Sequence, residues 1–217
     1  MIINNQALPR LNSSRIYCLI LCFLCGALSG CTSTINVSGH FPSPIVDPLP
    51  LTMGVVYKPA FKQYNYVENN EKRQQWQIEI GDAQQALFNT VLPAMFKEVV
   101  TLADQADEAS KKTDLVFEPT LEEFQYNMPR ETNVNMFEVW MKYNMKVYNK
   151  EGRLIADWIL TAYGKTPTAF MKSEESALNE ALIIALRDAG AGFSLRFGHV
   201  PEINSWLSQQ KFANRSK

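Results

Sequence analysis

Histidine is nearly missing from this chain of 217 residues: there are two, His40 and His199. A histidine triad or zinc site would have to be built around His199 alone, because His40 falls in a proline-rich stretch. Cysteine is scarce as well, with four residues, all at or before position 31. The glycines around Gly190 and Gly192 are too few, and in the wrong context, for a loop that cradles phosphate. The apolar run Ile16 to Leu28 covers 13 residues, whereas a helix needs about 20 to cross a bilayer. Neither sign of charge dominates, with 21 basic against 22 acidic residues, so the basic stripe of a nucleic-acid binder is absent. What the chain does have is 46% hydrophobic and 11% aromatic residues, enough for an ordered core.

The first thirty residues have the three regions of an export signal. Arg10 and Arg15 supply positive charge with no acid before Cys31; the apolar run follows; then come the small residues Ser29 and Gly30. The sequence Leu28-Ser29-Gly30-Cys31 resembles a bacterial lipobox, which implies lipidation of Cys31 and cleavage before it. Residues 1–30 are then a signal peptide that is removed, taking Cys18, Cys22 and Cys25 with it. The remaining 187 residues keep one cysteine, with its sulfur in a thioether, which excludes disulfides, thiolate catalysis and cysteine metal sites. Lipoproteins of this type carry a diacylglycerol, usually with a third acyl chain such as palmitate, so the resemblance implies permanent anchoring. Thr32 stands where Asp is the usual inner-membrane retention signal, which implies the outer membrane, facing the periplasm.

Residues 31–50 read as the lipidated cysteine and a tether, stiffened at its end by Pro42, Pro44, Pro48 and Pro50. Residues 51–217 are expected to form a single α+β domain, a mainly antiparallel sheet with two principal helices packed on one face. Strands are expected at Leu51 to Tyr57, Phe61 to Val67 and Trp76 to Ile80. Asp82 with Gln85 has a capping-box pattern, and a helix is expected through Leu87, Val91, Met95, Val99 and Leu102, kinked or split at Pro93. In Leu115 to Tyr126 the apolar phase changes at Pro119, which predicts a bulge, a break or an edge. Phe137 to Tyr148 alternates without interruption, Asn149 to Gly152 reads as a turn, and Leu154, Ala156, Trp158, Leu160 and Ala162 form the buried face of the return strand. Ser173 is a predicted N-cap, followed by Glu174 and Glu175 and a stripe of alanines and leucines from Ala177 to Ala189. A short helix is expected from Pro201 to Gln210.

Little in this pattern carries chemistry. Glu122 and Glu123 adjoin on a strand, where neighbours point to opposite faces, so they are not a matched acid and base. No enzyme activity, cofactor or metal is expected. Trp140 and Tyr148 fall on the polar face of the clearest strand beside Lys142 and Lys146. These four residues are either a partner surface or a face covered by the tether or another segment. The anchor, tether and element order resemble small periplasm-facing envelope-assembly and transport auxiliary lipoproteins, with no motif in the mature part to transfer a site from. The resemblance implies an accessory or scaffold for a membrane or cell-wall assembly partner. The alternative is a lipid- or glycolipid-binding module holding an acyl chain between sheet and helices.

Overall fold

A computed structural model describes residues 33–131, 134–168 and 173–215, with side chains to Gln210. The segment 1–30 and Cys31 lie outside the described residues. Thr34 onward forms one compact body.

Two sheets are present among the described residues. The smaller combines β1 (Ser33–Asn36), β4 (Trp76–Glu79) and β3 (Asn65–Val67) in the order β1-β4-β3. The larger has the order β5-β2-β6-β7-β8, from β2 (Leu49–Val56), β5 (Phe96–Leu102), β6 (Leu115–Asn127), β7 (Met136–Asn149) and β8 (Leu154–Pro167). β6, β7 and β8 form an antiparallel meander, but β2 runs parallel to both of its neighbours. The sheet is therefore mixed rather than mainly antiparallel. The four residues Met53–Val56 are buried without alternation, the signature of a parallel strand covered on both faces.

The helices are α1 (Pro59–Lys62), α2 (Gly81–Met95), α3 (Glu174–Arg196) and α4 (Pro201–Arg215). α1 occupies the start of the segment expected to be a strand from Phe61. α2 starts at Gly81 without a side-chain cap, so Asp82 is a first-turn acid rather than a capping residue. Its first amides are held instead by the Tyr64 carbonyl, to which Ile80 N donates at 3.0 Å and Gly81 N at 3.2 Å. A Cβ at Gly81 would overlap the Lys62 carbonyl, so this close approach needs glycine. α2 ends at Met95 rather than continuing to Leu102. Pro93 cannot donate to the turn before it, and Val99, Val100 and Thr101 favour the strand β5 that follows at once.

α2 and α3 pack together over one face of the larger sheet. The core there is aromatic: Phe88 meets Phe117 at 5.4 Å, Tyr143 at 6.4 Å and Phe193 at 5.6 Å between ring centroids. Ser173 caps α3 by accepting from Ser176 N at 3.1 Å, as expected. α3 then runs unbroken past Gly190 and Gly192, burying Phe193 and leaving Leu195 exposed.

Residues 33–50 are not a free tether. Ile35, Val37 and Phe41 are buried, and the segment lies along α3. Ser38 exchanges two hydrogen bonds with the Asn179 side chain, and Arg187 donates twice to the His40 carbonyl. The folded body thus begins at Thr34 and not at Leu51, because Ile35, Val37 and Phe41 join the core while Ser38 and His40 are bonded to α3.

Register irregularities decide the rest. Pro119 sits within the β6–β7 ladder, beyond the residues that pair with β2, where β6 has become an edge on that side. The bulge falls instead between Leu121 and Glu123. A second shift between Val147 and Tyr148 pairs Tyr148 with Leu154, so Leu154 leaves the buried face and is 49% exposed. Gly152 closes the hairpin at φ 76°, where a side chain is strained.

Candidate functional site

The face of β6–β8 turned away from the helices is only partly covered: Lys142, Asn144 and Lys146 are half-buried, and Trp140, Ile159 and Thr161 are exposed. Alternation along β7 places Trp140 and Lys142 on it, opposite Tyr163 and Thr161 of β8. Trp140 and Tyr163 lie with centroids 5.3 Å apart and planes tilted by 44°. Trp140 remains 37% exposed and Ile159, on the same face, 45% exposed. A shallow cleft of about 340 Å³ opens beside them, lined by Glu123, Gln125, Asn127, Trp140, Lys142 and Thr161.

Lys142 is clamped between adjacent carboxylates, 3.0 Å from Glu123 and 3.4 Å from Glu122. The bulge makes this possible: Glu122 is the extra residue, and both acids reach one ammonium instead of opposite faces. The expectation that they cannot act together is corrected in geometry, yet their shared work is to hold a cation. Glu123 foremost, with Glu122, pushes the Lys142 ammonium up from its ordinary range. Tyr163 donates to Glu138 Oε1 at 2.6 Å, and this bond pushes the phenol up to about 12.

The other two residues of the expected surface lie further along β7. Lys146 is 3.9 Å from Asp157. Tyr148 packs on a small apolar cluster of Val56, Leu102 and Val116, roofed by the turn at Ala109. The structure thus brings Trp140 and Lys142 together, sets Lys146 in a cross-strand ion pair and uses Tyr148 as cover. Tyr163 and Ile159 also belong to the surface and carry no mark in the sequence, whereas Glu138 falls on the polar face of β7 with Lys142 by alternation. Alternation away from Ala162 and Leu160 was the signal that would have found Tyr163 and Ile159.

The remaining candidates named in the sequence lie elsewhere. His40 and His199 are both exposed and lie outside this surface. Among the described residues no group of three or more metal-ligating side chains occurs, and no helix is long and apolar enough to cross a membrane. Buried Glu118 is held by Lys58 at 2.6 Å and Gln105 at 2.7 Å. A cleft of about 630 Å³ between the hairpin turn and α4 is lined mainly by polar residues such as Asp114, Arg153 and Glu202. The space between sheet and helices, where an acyl chain would lie, is filled by Phe88, Phe117 and Phe193. The apolar cleft over α3 near Pro42 and Ala191 measures only about 110 Å³, below the usual several hundred for a ligand site.

No family model matches the sequence, and no curated protein is similar to it in sequence. Among solved structures, a Xanthomonas campestris protein described under the family DUF330 is similar over 77% of this chain and 97% of its own. It shares 10% identity at a TM-score of 0.49. A minor lipoprotein of Acinetobacter baumannii is similar over 70% of this chain and 94% of its own, with 10% identity and a TM-score of 0.45. The protein CT253 of Chlamydia trachomatis is similar over 70% and 99%, with 9% identity and a TM-score of 0.44.

Proposed function

We propose that this chain is a lipid-anchored, non-enzymatic lipoprotein of the bacterial envelope, an accessory or scaffold for a membrane or cell-wall assembly partner. The anchor is the lipobox-like Cys31, and Thr32 directs the protein to the outer membrane, facing the periplasm. The observation that carries the scaffold role is the partly covered sheet face with its exposed Trp140 against Tyr163. Tryptophan and tyrosine on a rigid strand pair supply large contact area with little side-chain entropy to lose, the make-up of an interface centre. The locked ion pairs around them suit binding better than proton transfer.

Two measurements test the proposal. Cys31→Ser should move the protein from the outer-membrane to the periplasmic fraction and abolish palmitate labelling; retention in the membrane overturns the anchor. In-cell crosslinking from position 161 should capture a defined envelope protein, and Trp140→Ala with Lys142→Glu should lower its yield at least fivefold. Unchanged capture by the double variant overturns the docking face.

A further inference from the structure

Resting on the Cys31 anchor proposed above, we infer that one particular end of the domain lies against the lipid headgroups. That end carries the loop 68–75, the turn 128–131 and the exposed Val67 and Val134. The long strands β7 and β8 stand away from the bilayer.

The first premise is chain length. The folded body starts at Thr34, three residues after Cys31. Three peptide units span at most about 10 Å, so no long tether separates the body from acyl chains on Cys31.

The second premise is which end Thr34 occupies. Val37 N donates to the Glu79 carbonyl at 3.0 Å, at the last residue of β4, and β1 is β4's neighbour in the sheet. The residues of β1 precede Val37, so β1 runs alongside β4 in the same direction, with Thr34 near the level of Trp76. Val67 pairs with Gln77 at that level, and the loop 68–75 leaves from there. Arg73 ties this loop to the end of β6, donating to the Tyr126 carbonyl at 3.0 Å and meeting Glu131 at 2.7 Å. The start of β7 and the end of β8 adjoin it, with Met136 paired to Pro167.

The surface at this end fits a bilayer. Val67 is 47% and Val134 58% exposed, so this end offers two apolar side chains to a headgroup layer. Its arginines are already matched, Arg73 with Glu68 and Glu131 and Arg130 with Glu174, so the contact needs no anionic lipid. The hairpin turn at Glu151 lies the length of β7 away, 14 residues or about 43 Å.

The test uses the lipidated protein in phosphatidylcholine vesicles carrying a headgroup nitroxide. Val134→Cys and Glu151→Cys are each labelled with bimane, the introduced thiol being the one free thiol of the cleaved chain. Quenching at least twofold at position 134, with none at 151, supports the placement. Inserting ten Gly/Ser residues after Thr32 should relieve most of that quenching. Equal quenching at both positions, or quenching at 151 alone, overturns the placement while leaving the anchor intact. A protein that fails to co-sediment with vesicles overturns the anchor, and the placement with it.

Discussion

Asp188 of α3 accepts the backbone N–H of Tyr163 in β8 at 3.0 Å. β8 is the last strand of its sheet, and an open edge invites pairing with another chain. Here the edge is blunted by a helix, whose backbone comes so close that a Cβ at Gly164 would overlap the Ala181 carbonyl. Gly164→Ala should therefore cost about 3 kcal/mol or more, by displacing α3 from the sheet. Asp188→Ala, which leaves an accessible N–H to water, should cost about 1 kcal/mol. Urea denaturation of both variants checks the order; equal losses would show that the helix is free to shift.

Arg73 and Glu68 form the second test of the packing. Glu68 is 5% exposed and accepts from Arg73 at 2.5 Å, the Tyr126 hydroxyl at 2.9 Å and Asn70 N at 2.9 Å. Arg73→Ala strands a buried carboxylate and should destabilise by about 3 kcal/mol. Adding Glu68→Gln should recover part of that loss, and a double-mutant cycle in chemical denaturation measures the coupling. Strictly additive losses would remove the ion pair from the account.

Phe41 distinguishes a packed segment from a tether. Its side chain is 5% exposed beside α3, so Phe41→Ala should cost about 3 kcal/mol in thermal or urea unfolding. A loss near zero would return residues 33–50 to the role of free linker.

Tyr163 makes a pH prediction of definite sign. Its phenol is pushed from 10.0 to about 12 first by its bond to Glu138, then by burial. The stabilisation from this bond is complete below pH 10 and is lost as pH rises through about 12. The difference in ultraviolet titration between the parent and Tyr163→Phe isolates this group. In Glu138→Gln the step should fall back toward 10; a step that stays near 12 would assign the shift to another cause.

Much of the meander was legible because one period accounts for it. Phe137 to Val147 alternate on one buried face, as does Ala156 to Ala162 apart from Trp158, which is only partly covered. Ser173 was legible for the same reason: a cap is a local feature. The parallel pairing of β2 was not, since two-sided burial erases alternation and leaves no trace of the neighbour's direction. Leu154 and the pair Glu122 and Glu123 were misplaced because a bulge shifts phase by one residue without a sequence mark as clear as proline's. Residues 33–41 misled through composition: Ser, Thr, Asn and Gly between Ile35, Val37 and Phe41 read as linker until the partner helix is known. Of the surface, Trp140 and Lys142 followed from period alone, while Lys146 and Tyr148 shared that period and differ in their cross-strand neighbours.

The contacts that seat residues 38–40 on α3 link positions 141 and 147 apart in sequence. Such closure is slow, because the ends of a long loop must meet before any contact forms. Ribosomes also deliver the N-terminal side first. The segment just after Cys31 therefore emerges well before the helix that will bind it exists. Until residue 187 has been made, residues 38–40 lack the side chains that seat them, Asn179 and Arg187. The N-terminal cover of α3 is therefore among the last parts of the fold to close.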